Sequence, residues 1–277
     1  MIDKFNKSWS TKTHFEEETT FINDSKDDNI FSALGRFLSG SLEDEIGRVS
    51  YIRYMARNKF IYKILGKILI LRYPHSSKKF NNSIDTSHDA HLDSILSYTI
   101  KRSAYKPTRG VNRRTEKFYK VLSLPPRDLK KESLLIIGGK DVGELLMAWC
   151  YGFSWKNIKG IDLFSLHPKI EIMNMEEMTF APNTFDNITL CHTYGYQADK
   201  ELCIKEISRV IKHKGHFIFN SQYAKNVEDI PPGVNCNTSP EEMKGILKNN
   251  NFEVIYHDSE VNGPYINSLW NCRKIQT

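Results

Sequence analysis

Leu134 to Ile137 are four consecutive apolar residues that run into Gly138 and Gly139, after which the chain turns polar before a helical pattern, GELLMAWCYGF, begins. A short unbroken apolar run ending in glycine reads as a strand buried on both faces, the kind that opens a parallel sheet. The same grammar repeats downstream. NIKGIDLF is a strand, KIEIMNM a short strand, FDNITLCHTYG a strand, KELCIKEISRVIK a helix and GHFIFNS a further strand. The tail then changes: SPEEMKGILKNNN is a helix capped by Ser239, and FEVIYHDSEV and YINSLWNCRKI are strands joined by the turn residues NGP. Such alternation predicts an α/β fold, a doubly wound, mostly parallel sheet of the Rossmann type whose closing hairpin adds one antiparallel strand.

Upstream the pattern divides the chain in two. Residues 1–30, with EEETT and NDSKDDN, carry no sustained apolar period and read as a flexible N-terminal arm. Residues 31–110 form a helical extension: SLEDE places acids behind a serine cap, with helices to about Tyr73, and HLDSILSYTIKRSAY is another short helix. NRRTEKFYKVLSL is a helix leading into the α/β domain, which spans 111–277. Within the extension, Arg53, Arg57, Lys59, Lys63, Lys67 and Arg72 face no acid in residues 51–73, so the segment can form a basic amphipathic helix. That permits peripheral membrane contact, although such a helix more often buries its apolar stripe on its own domain and solvates its lysines. Arg113 and Arg114 read as a solvated helix start.

Composition narrows the classes. At 277 residues, with 40% hydrophobic and 12% aromatic residues, a sizeable core is available. A net charge of +6 is far below the dense basic footprint of a nucleic-acid binder. Five scattered cysteines without a CxxC pair read as reduced thiols, with no metal site implied. With no apolar leader and no run of about 20 apolar residues, the chain is expected in the cytoplasm.

The glycines bound the ligand. A phosphate loop for nucleoside triphosphates needs a lysine and a hydroxyl after its last glycine, but Glu144 and Leu145 follow Gly143. A dinucleotide loop needs glycine at its first, third and sixth positions, and Lys140 occupies the third. A ligand without phosphate needs only a close loop and an acid at the end of the second strand for its ribose hydroxyls, where Asp162 stands.

In order, LLIIGG, GIDLF, IEIMNMEEMTFAPNTFDNITL, EISRVIKHKGHFIF and SPEEMKGILKNNNFEVIYHD resemble the class I S-adenosylmethionine-dependent methyltransferases, from about Val111 to the C-terminus. The resemblance implies S-adenosylmethionine as cofactor and a binding set of Gly138, Gly139, Lys140, Asp162, Leu163, Asn174 and Met175. In it, Asp162 takes the ribose hydroxyls, Asn174 the adenine amino edge and Met175 the adenine face. The loop departs from the family pattern, with Ile136 where an acid is usual and Lys140 and Val142 at two glycine positions.

CHTYGY leaves a strand at the same end of the sheet. His192 is a candidate general base and Tyr194 a candidate positioning group, although both residue types are common structural occupants of strand ends. Asn174 could equally satisfy loop backbone. His213 and His216, flanking a turn, are expected at the surface, and Glu176 and Glu177 in solvent. The function implied is methyl transfer to a small-molecule or saccharide acceptor. A non-catalytic interaction module is the alternative suggested by the altered loop, and a NAD-dependent oxidoreductase the one suggested by Gly138, Gly143 and Asp162.

Overall fold

The computed structural model describes residues 58, 60–62, 64, 85, 89–105, 113–122, 127–139, 142–165, 169–190, 193–226, 228 and 236–275. The arm 1–30 lies outside them, as does most of 51–73, so the basic amphipathic helix is not described. Among the described residues the helices α1 (Ala90–Tyr105) and α2 (Arg113–Leu122) lie ahead of the sheet in the chain. Then follow β1 (Leu134–Ile137), α3 (Val142–Cys150), β2 (Ile158–Asp162), β3 (Ile170–Ile172), β4 (Phe185–Leu190), α4 (Lys200–Val210) and β5 (Ile211–Ala224). The chain closes with α5 (Pro240–Asn249), β6 (Phe252–Asn262) and β7 (Tyr265–Lys274).

These strands form one seven-stranded sheet in the order β3-β2-β1-β4-β5-β7-β6. The pairs β1–β2, β1–β4, β2–β3 and β4–β5 are parallel, and β7 runs antiparallel to both β5 and β6. The order reverses between β1 and β4, which is where open sheets of this kind bind ligands.

The alternation of side chains along β1 explains why its run is apolar throughout. Leu134 and Ile136 join the core made with α2 and α3, including Phe118, Tyr119, Leu146 and Trp149. Leu135 and Ile137 join the opposite core made with α4 and α5, including Ile204, Ile207, Met243 and Leu247. Both faces of the strand are therefore dry, and neither tolerates a polar residue.

Helix starts follow the expected chemistry. Ser239 accepts from the Glu242 N–H at 3.3 Å while the Glu242 carboxylate accepts from the Ser239 N–H at 2.7 Å, and Pro240 occupies the first turn. Asp199 caps α4 through the Leu202 N–H at 2.9 Å.

β5 differs from its sequence reading. It begins at Ile211, directly after α4, and crosses a register shift before Gly215, with Lys214 at φ 63°. A Cβ at Gly215 would stand 2.8 Å from the carbonyl oxygens of Asp186 and Lys212. His216, expected at the surface, is instead partly buried and its Nδ1 lies 3.2 Å from Asn271 Oδ1 on β7. Burial lowers its imidazole below the ordinary value, and the Arg127 charge adds to this. The insertion of β7 beside β5 covers this histidine, an outcome no local pattern encodes. His213 is exposed as expected.

Tyr62 is one of the described points at which the extension touches the domain. Tyr62 is buried in the same core as α3, and its hydroxyl donates to the Gly143 carbonyl. On α2, Thr115 Oγ1 donates to Glu144 at 3.3 Å, and Glu116 accepts from the Tyr151 hydroxyl at 2.7 Å.

The start of β4 is tied to the edge of β1 by Asp186. Its carboxylate accepts from the Ser133 N–H at 2.9 Å, the Ser133 hydroxyl at 2.7 Å and Lys212 Nζ at 2.9 Å. Burial alone would raise this carboxyl, but the Ser133 and Lys212 contacts hold it below its ordinary 3.8. A carboxyl lowered in the folded state contributes stability that is complete above its unfolded pKa and is lost as pH falls through the folded value. Asp186→Asn is therefore expected to cost about 1–3 kcal/mol at pH 7 in urea unfolding, with the difference from wild type narrowing as the pH falls below the ordinary carboxyl value and through the lowered folded one.

Candidate functional site at the carboxyl edge of the sheet

The ends of β1, β2, β3 and β4 lie side by side, and each contributes a short loop to one edge. Gly138 turns the chain out of β1 at φ 80°, while its N–H still donates to the Ile161 carbonyl of β2 at 2.9 Å. A Cβ there would lie 2.2 Å from Thr193 Cγ2, so the β1 loop and the loop after β4 touch at the switch point. Gly139 is buried, and a Cβ on it would lie 2.8 Å from Ile136 Cγ2. The glycine pair is thus required twice over: once for backbone conformation and once for the core beneath it. Ile136 itself is fully buried, which removes the position usually held by an acid from any ligand contact.

Asp162 ends β2 and is partly buried. Its Oδ1 accepts from the Phe164 N–H at 3.3 Å, and its carbonyl accepts from the Met173 N–H at 3.0 Å. Leu163 follows it at the same edge, also partly buried. Beyond β3, Asn174 Oδ1 accepts from the Glu176 N–H at 3.1 Å, which fixes the amide in a local turn. Met175 packs partly buried against the core of α4 and α5.

Glu176, expected in solvent, is partly buried and accepts from the Asp199 N–H at 3.1 Å, latching this loop to the start of α4. Glu177 is exposed. A second clamp comes from α4: Arg209 donates to the carbonyls of Phe180 and Met178, both at 2.6 Å, and Glu206 accepts from the Met178 N–H at 2.9 Å. The Arg209 guanidinium holds the Glu206 carboxyl below its ordinary range. The Asn174 loop is therefore braced from one side by a helix rather than left to solvent.

The loop after β4 is short and dense. The Tyr196 N–H closes a turn on the Thr193 carbonyl at 3.0 Å, and His91 Nε2 of α1 lies 3.0 Å from the Tyr196 carbonyl. Tyr194 is buried to 3% exposure against Phe219, and burial drives its phenol far above the ordinary value. It is a neutral hydrogen-bonding group at any working pH. Lys140 and His192 lie outside the described residues, and the structure assigns them no geometry.

Three residues at this edge were not singled out from the sequence. Thr193 sat unremarked inside CHTYGY; Gln197 and Lys200 read as ordinary loop and helix-surface residues, and no sequence signal marks them as buried. Gln197 is 2% exposed and Lys200 9%. The Lys200 ammonium donates to Asn237 Oδ1 at 3.1 Å and Thr238 Oγ1 at 2.6 Å and stands 5.6 Å from the Tyr194 ring centroid. Burial pulls it down to about 8, with Cys236 and Glu242 opposing, so it is still largely protonated at pH 7.

Residues 153–219 match the family model described as a methyltransferase domain. The match opens after the glycine loop, so the segment that departs from the family pattern lies outside it. No protein of curated function matches the chain in sequence. Among solved structures the chain resembles a Galdieria sulphuraria protein provisionally assigned as a sarcosine dimethylglycine methyltransferase, at 13% identity, 59% of this chain, 86% of that one and TM-score 0.49. It also resembles a SAM-dependent methyltransferase from Methanosarcina mazei (15% identity, 57% and 98% covered, TM-score 0.46). A third is geranyl diphosphate C-methyltransferase from Streptomyces coelicolor A3(2) (12% identity, 59% and 79% covered, TM-score 0.47). None of these bears on the acceptor.

Residues 153–219 carry the match to a methyltransferase domain, and the Rossmann-like strand order is the one that the resemblance to class I S-adenosylmethionine-dependent methyltransferases implies, with S-adenosylmethionine as the donor. The residues present fit that donor. A carboxylate with about four acceptor sites can serve a ribose diol while holding its own turn, Asn174 and Met175 lie one strand further out, and Thr193 Oγ1, buried without a hydrogen-bond partner among the described residues, faces the glycine turn between them. The described cysteines, Cys150, Cys203, Cys236 and Cys272, are buried and form no disulfide. Among the described residues no helix is long and apolar enough to cross a membrane.

Proposed function

We propose that this protein transfers a methyl group from S-adenosylmethionine to a small-molecule or saccharide acceptor at the carboxyl edge of its sheet. The observation that carries the reading is the meeting of Gly138 and Thr193 at the switch point, with Asp162 and Asn174 on successive strands to one side and the Thr193–Gln197 loop on the other. Gly138, Gly139 and Lys140 would hold the methionine part, Asp162 and Leu163 the ribose, and Asn174 and Met175 the adenine. When bound, the donor supplies a methyl carbon on a sulfonium, open to in-line displacement.

The protein's own part is to fix donor and acceptor together and to manage a proton. Proximity of this kind accounts for the larger share of such a rate enhancement. His192 is the proposed base for the acceptor's proton, and Tyr194, neutral and buried, would position rather than deprotonate. The mild net charge supports a small acceptor over a nucleic acid.

The test is a panel of hydroxylated metabolites and nucleotide sugars, scored by release of S-adenosylhomocysteine. With an acceptor found, His192→Ala is expected to lower turnover by roughly 10²- to 10⁴-fold with S-adenosylhomocysteine affinity unchanged. Loss of donor binding in that variant would move His192 to the donor half of the site, and unchanged turnover would leave positioning as the source of rate. Donor binding without release across the panel would favour the interaction-module reading.

A further inference from the structure

Four polar atoms within five residues are buried without a hydrogen-bond partner among the described residues: Thr193 Oγ1, the Tyr194 hydroxyl and both amide atoms of Gln197. Buried polar groups in native folds are nearly always paired, and an orphaned primary amide is costly in both its donor and its acceptor. Here they concentrate in one turn at the switch point, beside the residue that touches Gly138. The adjoining side chain, Lys200, is a cation at the first position of α4. Its two hydrogen bonds go to neutral oxygens, and among the described residues no carboxylate pairs with it.

From this juxtaposition we infer that Thr193, Tyr194, Gln197 and Lys200 form a subsite for a carboxylate-bearing small molecule, the acceptor of the proposed methyl transfer. The inference rests on that reading of the protein. Gln197 needs a partner that both accepts and donates, which a carboxylate next to a hydroxyl or amine provides. Tyr194 can serve either, since burial keeps it a phenol. Lys200 sets the sign of charge: no carboxylate contacts this ammonium among the described residues and Glu242 acts on it only at longer range, so a cationic acceptor would be repelled whereas an anion would add a direct counter-charge. The cluster is therefore incomplete as a fold element and complete as a binding element.

This makes a stability prediction that needs no knowledge of the acceptor. Groups kept unpaired for a ligand weaken the ligand-free fold, so removing them stabilises it. Gln197→Met in the full chain, without ligand, is expected to raise Tm by about 2–6 °C. A fall in Tm would mean that the amide is satisfied inside the fold and would overturn the subsite. The anion is tested on protein saturated with S-adenosylhomocysteine, using sodium lactate, lactamide, propane-1,2-diol and sodium chloride at matched concentration. Lactate is expected to raise Tm more than the other three, and Lys200→Met to abolish the difference. Equal shifts from lactate, lactamide and the diol, or from lactate and chloride, would overturn the anionic class. If S-adenosylhomocysteine itself fails to bind wild type, the methyltransferase reading falls, while the ligand-free Tm of Gln197→Met still decides whether the orphaned amide is held for a ligand.

Discussion

Gly138→Ala is expected to destabilise the protein by about 2–4 kcal/mol and to abolish its response to S-adenosylhomocysteine. The residue sits at φ 80°, where a Cβ costs about 1–2 kcal/mol by itself. The added methyl would also stand 2.2 Å from Thr193 Cγ2 and 2.7 Å from Thr193 Oγ1, well inside contact, so one of the two loops must move. For a chain of this size the loss corresponds to a fall in Tm of roughly 4–16 °C. Gly138→Ala combined with Thr193→Ala separates the two causes. Removing Cγ2 and Oγ1 should restore the part due to overlap and leave the part due to backbone strain. A double variant no more stable than Gly138→Ala would show that the two loops are not in the contact described, and wild-type Tm for the single variant would mean that the β1 turn is built differently.

Asp162→Ala is expected to lower affinity for S-adenosylhomocysteine by roughly 10²- to 10³-fold, the loss of hydrogen bonds between a carboxylate and two hydroxyls. In a thermal-shift titration, wild type should gain stability in proportion to the logarithm of ligand concentration and the variant should show almost none of it. The Tm of ligand-free Asp162→Ala is the control, because Asp162 Oδ1 also accepts from the Phe164 N–H at 3.3 Å within the fold. Asp162→Asn keeps an acceptor oxygen without the charge and should fall between. Retained affinity in Asp162→Ala would place the nucleoside elsewhere, and a stabilising response to NAD instead would promote the oxidoreductase reading.

Much of the fold was legible because each strand and helix of the α/β domain carries a local signal strong enough to stand alone. LLII, FDNITL and the closing pair of strands announce themselves by alternation or by continuous apolarity, and the Ser239 cap by its spacing to Glu242. Asp162 was legible for the same reason: an acid at the end of a readable strand has a place in the sheet before any coordinates exist. The helices α1 and α2 were read too, but not what they rest on. That Tyr62 reaches the Gly143 carbonyl and that His91 meets the Tyr196 carbonyl are long-range pairings between surfaces, with no periodicity to betray them.

The sequence by itself determined the order of elements, the doubly wound class and the strand ends at which chemistry could sit, because these follow from periods of 2 and 3.6 residues and from glycine. The tertiary structure alone decided which polar residues are out of water. Lys200 and Glu176 look like surface residues in any window of the chain, and His216 looks like part of a turn. Lys200 is buried and Glu176 and His216 are partly buried because the loop after β4 folds against the start of α4 and because β7 enters beside β5. Burial is a property of neighbours distant in sequence, and hydrogen-bond satisfaction is a property of geometry. The unpaired atoms of Thr193, Tyr194 and Gln197 could therefore appear only once those neighbours were in place.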